Sequence, residues 1–144
     1  MIRKATVFDI SSILLMLDNM HKETEITVPP IDSYKITNKV NQVLHEGIIL
    51  LATEENKLQG SIGGVIATDW WSSEKYLADI WFYVYPDARN SNVAKNLISD
   101  FIQIGKKTKM KVRLGHIFSG DLERKDKFYE RLGMVKAGST YVEV

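Results

Sequence analysis

The sequence predicts an α+β fold, with a mixed and mostly antiparallel sheet of about six to seven strands and about four flanking helices. The apolar residues follow a helical period before Gly47, and the period changes to that of strands from there. A strand, a helix and a second strand follow each other within 76–117, which gives one crossover and one parallel pair of strands. No linker-like stretch divides the 144 residues, so we expect a single domain over 1–144.

The first part of the chain predicts a short strand and two helices. Asp9 is a suitable N-cap for the first helix, which is amphipathic. Prolines and β-branched residues at 23–30 oppose helix formation and predict a connector. Asp32 or Ser33 begins the second helix, and Gly47 closes it.

The second part of the chain contains most of the predicted sheet. A tight turn, EENK, joins its first two strands into an antiparallel hairpin, and the tail alternates around Gly138 as a final hairpin would. The predicted elements are strands at 47–55, 58–70 and 76–85, a helix at 92–105, a strand at 111–117, a helix that carries KFYERLGM at 127–134, and the terminal hairpin.

Composition excludes several classes of protein. Hydrophobic residues make up 44% and charged residues 26%, as in a soluble globular domain. The net charge of +1 argues against a dedicated nucleic-acid binder or a basic membrane-surface protein. The absence of cysteine excludes a disulfide scaffold and a thiol nucleophile. The apolar runs are too short to span a bilayer and no targeting segment is evident, so we expect a cytoplasmic protein.

The junction between the third strand and its helix predicts an anion site. In WFYVYPDARNSNVAKNLI (81–98), Pro86 ends the strand, and an arginine and several small side chains precede the helix. A helix N-terminus offers unpaired N–H groups that can hold a diphosphate. Alternatively, the small polar residues only cap the helix. The candidate phosphate-binding residues are Arg89, Asn90, Ser91, Asn92, Val93 and Ala94.

Two motifs resemble those of the GNAT superfamily of N-acyltransferases. VYPDARNSNVAKNLI resembles its acetyl-CoA-binding signature, V-x-P-x-x-R-G-x-G-x-G/A-x-x-L-L, and FYERLGM at 128–134 resembles the later F-Y-E-x-L-G-F. The order of elements also matches, and the chain is similar to small single-domain members of phage or bacterial type. The positions that match the first signature are Val84, Pro86, Arg89, Ala94 and Leu97.

The chain departs from the first signature where Asn90 and Asn92 replace two glycines. Asparagine tolerates left-handed backbone better than most residues, so a similar loop can form. Its side chain nevertheless limits how closely a phosphate approaches the backbone. We expect weaker or shifted cofactor contacts, with a degenerate site that no longer binds as the alternative.

The resemblance implies acetyl-CoA as the acyl donor. In this family the strands that correspond to 76–85 and 111–117 splay apart, and the pantetheine arm pairs with the first of them. By position, the main chain of Phe82, Tyr83 and Val84 would receive that arm. The diphosphate would lie on 89–94.

The resemblance also implies direct attack of an amine on the thioester. Tyr129 would be the general acid for the departing thiolate, and Asp79 the general base; a backbone N–H at a strand bulge would stabilise the oxyanion. Alternatively, Tyr129 is a packing aromatic residue, and Asp79 binds a neighbouring loop or faces solvent. His21, Glu25 and His116 are rival bases.

The acceptor site would lie between the first two helices and at the loop before the long strand. Its candidate residues are His21, Glu25, Trp70 and Trp71, and the tryptophans could equally cover the core. Glu23 and four other carboxylates make this zone acidic, which favours a cationic amine. No spacing typical of metal ligands occurs, so we predict no metal.

Three functions fit these features. The first is acetylation of a small-molecule amine. The second is acetylation of a protein or nucleobase amine, as in a phage protein acting in the host cytoplasm. The third is a CoA-binding or interaction module without turnover, suggested by Asn90 and Asn92. The edge of the terminal hairpin would allow a homodimer.

Overall fold

The computed structural model describes residues 1–24, 28–115 and 121–143. Within these ranges, helices lie on both faces of a single sheet. The strands are β1 (Ile2–Lys4), β2 (Ile48–Glu54), β3 (Lys57–Thr68), β4 (Lys75–Val84) and β5 (Lys111–Arg113). The helices are α1 (Ile10–Lys22), α2 (Ser33–Glu46), α3 (Val93–Lys107) and α4 (Leu122–Arg131), and short 3₁₀ turns form at Val7–Asp9 and Pro86–Ala88.

The sheet has the order β1-β2-β3-β4-β5. Its first four strands pair antiparallel, whereas β4 and β5 pair parallel across the α3 crossover, as the sequence predicts. The predicted turn between β2 and β3 also forms. Glu55 and Asn56 both adopt positive φ there, which suits a two-residue hairpin turn.

Two apolar clusters hold the helices against opposite faces of the sheet. The face covered by α1 and α2 buries Ile13, Met16, Leu17, Val40, Val43, Ile49, Leu51, Trp81 and Tyr83. The face covered by α3, with α4 at its margin, buries Leu50, Ala52, Ile62, Leu77, Val84, Ala88, Leu97, Ile98 and Phe101. β4 contributes to both clusters, so its side chains reach both faces of the molecule.

A β-bulge in β4 changes which side chains face which helices. Two consecutive residues of β3 lie opposite Trp81 and Asp79, so Ile80 has no partner in the register. Leu77 faces α3, yet Trp81, four residues later, faces α1 and α2. In a regular strand these two side chains would share a face. The bulge therefore keeps Asp79 on the α3 side and turns Trp81 and Tyr83 to the other side.

The predicted number of strands is too high. The described residues form five strands, and the predicted terminal hairpin is absent from 134–143. Val135 is 89% exposed and Tyr141 is 92% exposed. Alternation alone does not stabilise a strand unless one face is buried, and these side chains find no apolar surface to cover.

The predicted capping role of Asp9 is also corrected. Its carboxylate makes no side-chain cap to α1. Instead it accepts hydrogen bonds from the Thr6 N–H at 2.8 Å and from both terminal nitrogens of Arg3, each at 2.8 Å. The guanidinium of Arg3 accordingly lowers the pKa of Asp9 to about 2. By contrast, Asp32 caps α2 as predicted, accepting from the Lys35 N–H at 3.0 Å.

Close packing of α3 on β3 requires glycine at position 64. A Cβ added there would lie 2.4 Å from Cζ of Phe101 and 2.8 Å from the carbonyl oxygen of Ala78. We expect Gly64→Ala to lower the free energy of unfolding by about 1–3 kcal/mol, measured by urea denaturation. Gly138→Ala is the matched control, because nothing lies within 4 Å of its added Cβ. Equal midpoints for the two variants would contradict the expected clash.

Candidate active site

The parallel pair of strands opens into a gap. Pairing between β4 and β5 covers only Tyr76 to Ala78 on β4, opposite Lys111 to Arg113 on β5. β4 continues to Val84, so its edge beyond Ala78 has no strand beside it within the described residues. The resemblance implies that these strands splay apart, and the unpaired edge of β4 beyond Ala78 is consistent with that.

The register of β3 and β4 directs the main chain of two residues into this gap. The N–H of Tyr85 donates to the carbonyl oxygen of Gln59 at 2.8 Å, so the Gly60–Val84 pair is of the non-hydrogen-bonded type. The N–H and C=O groups of Val84 therefore point away from β3. No irregularity separates Val84 from Phe82, so the main-chain groups of Phe82 point the same way. Those of Tyr83, between them, point towards β3.

The loop after β4 presents a group of unpaired amides. Pro86–Ala88 forms a 3₁₀ turn, and α3 begins at Val93. Within the described part of the chain, no hydrogen bond is donated by the N–H groups of Asn90, Asn92, Ala94 and Lys95. Clustered free donors at the positive end of a helix can receive an anion.

The two asparagines do not need the left-handed backbone that their glycine counterparts would allow. Among the described residues, positive φ outside glycine occurs only at Glu55, Asn56 and Lys109. Asn92 has φ −84° and makes no side-chain cap, so Ser91 supplies the polar contact at this helix start. Its hydroxyl accepts from the Val93 N–H at 3.3 Å. The loop therefore forms without glycine.

Arg89 is held by protein groups. Its Nε donates to the carbonyl oxygen of Val84 at 2.9 Å. Its Nη2 contacts both carboxylate oxygens of Glu23, at 2.9 and 3.0 Å, and the guanidinium carbon lies 5.4 Å from the centre of the Tyr83 ring. The sequence predicts a cation beside the phosphate loop, and the structure places that cation in an ion pair with the end of α1.

Asp79 lies where the two parallel strands separate. Its Oδ1 accepts a hydrogen bond from the N–H of Gly115 at 3.0 Å, so the carboxylate spans the start of the gap. Burial raises the pKa of Asp79 to about 6, although the N–H groups of Gly115 and of Asp79 itself lower it. The carboxylate thus has both a structural contact and a pKa suited to a base near neutral pH.

Tyr129 is near Asp79 on the same side of the sheet. It is on α4, packs against the α3-side cluster, and stacks edge-on with Phe128 at 5.4 Å between ring centres. Burial first, and the negative charge of Asp79 second, raise the pKa of the Tyr129 hydroxyl, which therefore stays protonated at neutral pH. Packing and electrostatics act on this residue together, so neither predicted role excludes the other.

The predicted acceptor residues are only partly brought together. Trp70 is 93% and Trp71 67% exposed, and they stack edge-on at 5.4 Å in the β3–β4 loop, so they do not cover the core. Nε2 of His21 lies 2.8 Å from the carbonyl oxygen of Pro29, which ties the end of α1 to the following connector. Glu25 and His116 lie outside the described residues.

Two ionic contacts in this region carry no signal in the sequence. Arg113 makes a bidentate pair with Asp69 at 2.8 Å and lies over the Tyr76 ring at 3.8 Å. The Glu23–Arg89 pair joins residues 66 positions apart. The charge and length of these side chains do not indicate which of them pair. The pairings depend on tertiary contacts between distant segments, such as the contact of α1 with the loop after β4.

A sheet with one parallel pair that opens beside the start of the crossover helix is the GNAT-type α+β fold. The chain belongs to the GNAT acetyltransferase family, because the family model described as "Acetyltransferase (GNAT) family" matches residues 14–134. Among curated proteins, no sequence matches the chain significantly.

Solved structures share this fold at low sequence identity. Three of them are a possible acetyltransferase from Clostridium difficile, a predicted acetyltransferase with acetyl-CoA from Clostridium acetobutylicum, and an aminoglycoside antibiotic 6′-N-acetyltransferase from Acinetobacter haemolyticus. Their TM-scores are 0.78, 0.77 and 0.76, at 22%, 18% and 15% identity. Each match covers 100% of this chain, and 95%, 94% and 97% of the other chain.

The described ranges contain no candidate membrane span and no cluster of metal ligands. No helix there is long and apolar enough to cross a membrane. No group of three or more acidic or histidine side chains in those ranges is placed to hold a metal ion.

Proposed function

We propose that this protein transfers the acetyl group of acetyl-CoA to an amine, and that the acceptor is a small molecule. The observation that carries the proposal is the open edge of β4. The main-chain groups of Phe82 and Val84 point into the gap, and the free amides of the following loop lie beyond the end of the same strand. A pantetheine arm needs main-chain partners and a diphosphate needs N–H donors, so one extended cofactor matches both surfaces.

The reaction needs a proton acceptor and a proton donor at the start of the gap. The amine nitrogen bonds to the thioester carbon, the carbon–sulfur bond breaks, and the thiolate leaves. Asp79 accepts the proton that the amine loses, and its raised pKa makes it a better base than an ordinary carboxylate. Tyr129 gives its proton to the thiolate, and a main-chain N–H at the Ile80 bulge is the proposed donor to the oxyanion.

A small amine is favoured by the tryptophan pair in the β3–β4 loop. The exposed Trp70–Trp71 pair offers ring faces on which a compact cationic or sugar-like acceptor can stack. Acetylation of a protein or nucleobase amine, and binding without turnover, are the competing functions.

Titration calorimetry and an acceptor panel separate these functions. We expect acetyl-CoA to bind, and thiol release to accelerate with at least one small amine. If thiol release accelerates only with peptides or nucleobases, the acceptor is a protein or nucleobase amine and not a small molecule. Binding without acceleration by any acceptor would favour the module without turnover. No binding at millimolar acetyl-CoA would overturn the proposed function altogether.

A further inference from the structure

We infer that Glu23 is a positioning residue, which fixes the phosphate-binding loop by holding Arg89 from the end of α1. The inference rests on the proposed function, because it concerns how the same cofactor site is built. Sequence reasoning includes Glu23 only among the acidic residues of the acceptor zone. The structure gives its carboxylate a defined partner on the cofactor side.

Several contacts restrain the side chain of Arg89. Its Nε is bonded to the carbonyl oxygen of Val84 at 2.9 Å, and its Nη2 to Glu23 at 2.9 and 3.0 Å. These contacts use two different nitrogens of the guanidinium and reach two different elements, β4 and the end of α1. A planar side chain bonded through two nitrogens has little freedom to rotate towards another ligand.

Glu23 is supported by a side chain of β4. The hydroxyl of Tyr83 donates a hydrogen bond to the Glu23 carboxylate, and the Tyr83 ring lies beneath the guanidinium of Arg89. The side chain of Tyr83 is buried in the α1–α2 cluster, so packing holds it in place beneath the Glu23–Arg89 ion pair. Three side chains from α1, β4 and the following loop thus form one connected group, called here the Glu23–Tyr83–Arg89 network.

The network adjoins both surfaces proposed for the cofactor. Arg89 is the residue before Asn90, where the row of free amides begins. It is also bonded to Val84, whose main chain faces the gap. The network therefore sets the distance between the surface for the pantetheine arm and the surface for the diphosphate. Because Glu23 balances the charge of Arg89, the contribution of this arginine to cofactor affinity is mainly geometric.

Glu23→Gln tests the inference by the sign of its effect. With the network broken, we expect the dissociation constant of CoA to rise about tenfold, since a charged bidentate contact is replaced by a neutral one. If Arg89 were instead a phosphate ligand that Glu23 competes for, the same substitution would free a cation beside the diphosphate. Affinity would then increase, with a steeper dependence on salt. Tighter or unchanged binding overturns the inference.

A double-mutant cycle shows whether the two residues act as a unit. We expect Arg89→Ala alone to weaken CoA binding about as much as Glu23→Gln, and the double variant to be no weaker than Arg89→Ala. Arg89→Lys should not restore affinity, because an ammonium cannot reach both Val84 and Glu23 with a rigid fork. In steady-state assays the loss should appear in KM for acetyl-CoA, with kcat retained at saturation. Additive effects or rescue by lysine would contradict a shared positioning role.

Asp9→Asn is the matched control for a general loss of stability. It also breaks a bidentate arginine–carboxylate pair, but one attached to β1, at the opposite edge of the sheet. We expect it to lower the thermal midpoint without changing the CoA dissociation constant. A parallel loss of affinity in this control would overturn the positioning role. If the wild-type protein does not bind CoA, the proposed function fails and the inference fails with it. If the wild type binds and Glu23→Gln binds equally well, only the inference fails.

Discussion

Replacing Tyr129 with phenylalanine is expected to lower kcat by about 10²-fold and to leave the dissociation constant of acetyl-CoA almost unchanged. The substitution removes one hydroxyl and keeps the ring that packs beside Phe128 against the α3-side cluster. Burial and the charge of Asp79 raise the pKa of that hydroxyl and keep it protonated at neutral pH, which a proton donor requires. Thiol release at saturating acetyl-CoA and acceptor measures the effect.

Tyr141→Phe is the matched control for this substitution. It removes the same hydroxyl from a side chain that is 92% exposed and lies in the tail after α4. Wild-type turnover in this control would assign the loss to position 129. Should Tyr129→Phe keep the wild-type kcat, Tyr129 has no part in proton transfer and serves only in packing.

Asp79→Asn is expected to lower kcat/KM by about 10²-fold and also to stabilise the protein. The loss of activity follows because asparagine cannot accept a proton from the amine. In the wild type, kcat/KM should rise as the pH passes about 6, where Asp79 loses its proton. That step should be absent from the profile of the variant. The amide oxygen can still accept the hydrogen bond from the Gly115 N–H, which makes the substitution structurally mild.

The gain in stability follows from proton linkage. The pKa of Asp79 is about 6 in the folded protein and near its ordinary value of 3.8 in the unfolded chain. Between these values the folded state binds more protons, so wild-type stability falls as pH rises through this window. Asparagine has no proton to lose. The free energy of unfolding of Asp79→Asn should therefore equal that of the wild type near pH 4 and exceed it by about 2 kcal/mol at pH 8. This value is discounted for the partial exposure of the side chain.

Urea denaturation at several pH values measures this difference, with Asp18→Asn as a control on an exposed aspartate paired to Lys22. The control should show no comparable gain between pH 4 and 8. A variant that is stabilised but retains the wild-type pH–activity profile would assign Asp79 to structure and exclude it as the base. Equal stability at pH 8 would show that the carboxylate is less desolvated than its surroundings indicate.

The elements with local causes are those that the sequence predicts. The cap of Asp32, the turn at Glu55 and Asn56, and the change of period at Gly47 act over a few residues, and the structure confirms each of these elements. The terminal hairpin is the clearest error. Its alternating pattern is local, but a strand also needs a partner and a buried face, and these depend on distant parts of the chain.

The same distinction applies to the candidate site. The loop from Arg89 to Ala94 is contiguous, so a motif could indicate it. The hydrogen bond from Gly115 to Asp79 joins residues 36 positions apart, and the contact from Arg89 to Glu23 spans 66. A sequence pattern predicts which chemical groups are available, whereas tertiary packing decides which of them meet. Because of that packing, Arg89 is hydrogen-bonded to Glu23 and Val84 and does not simply extend into solvent.

The unmatched Ile80 makes the length of β4 critical to the whole site. Deleting this single residue would restore a continuous ladder and rotate everything after it by half a turn. Trp81 and Tyr83 would then point to α3, while Phe82 and Val84 would point to the other helices. Most surface loops would tolerate a deletion of one residue. In β4 it would move the side chains of residues 81–84 to the opposite faces of the sheet and separate Tyr83 from Glu23.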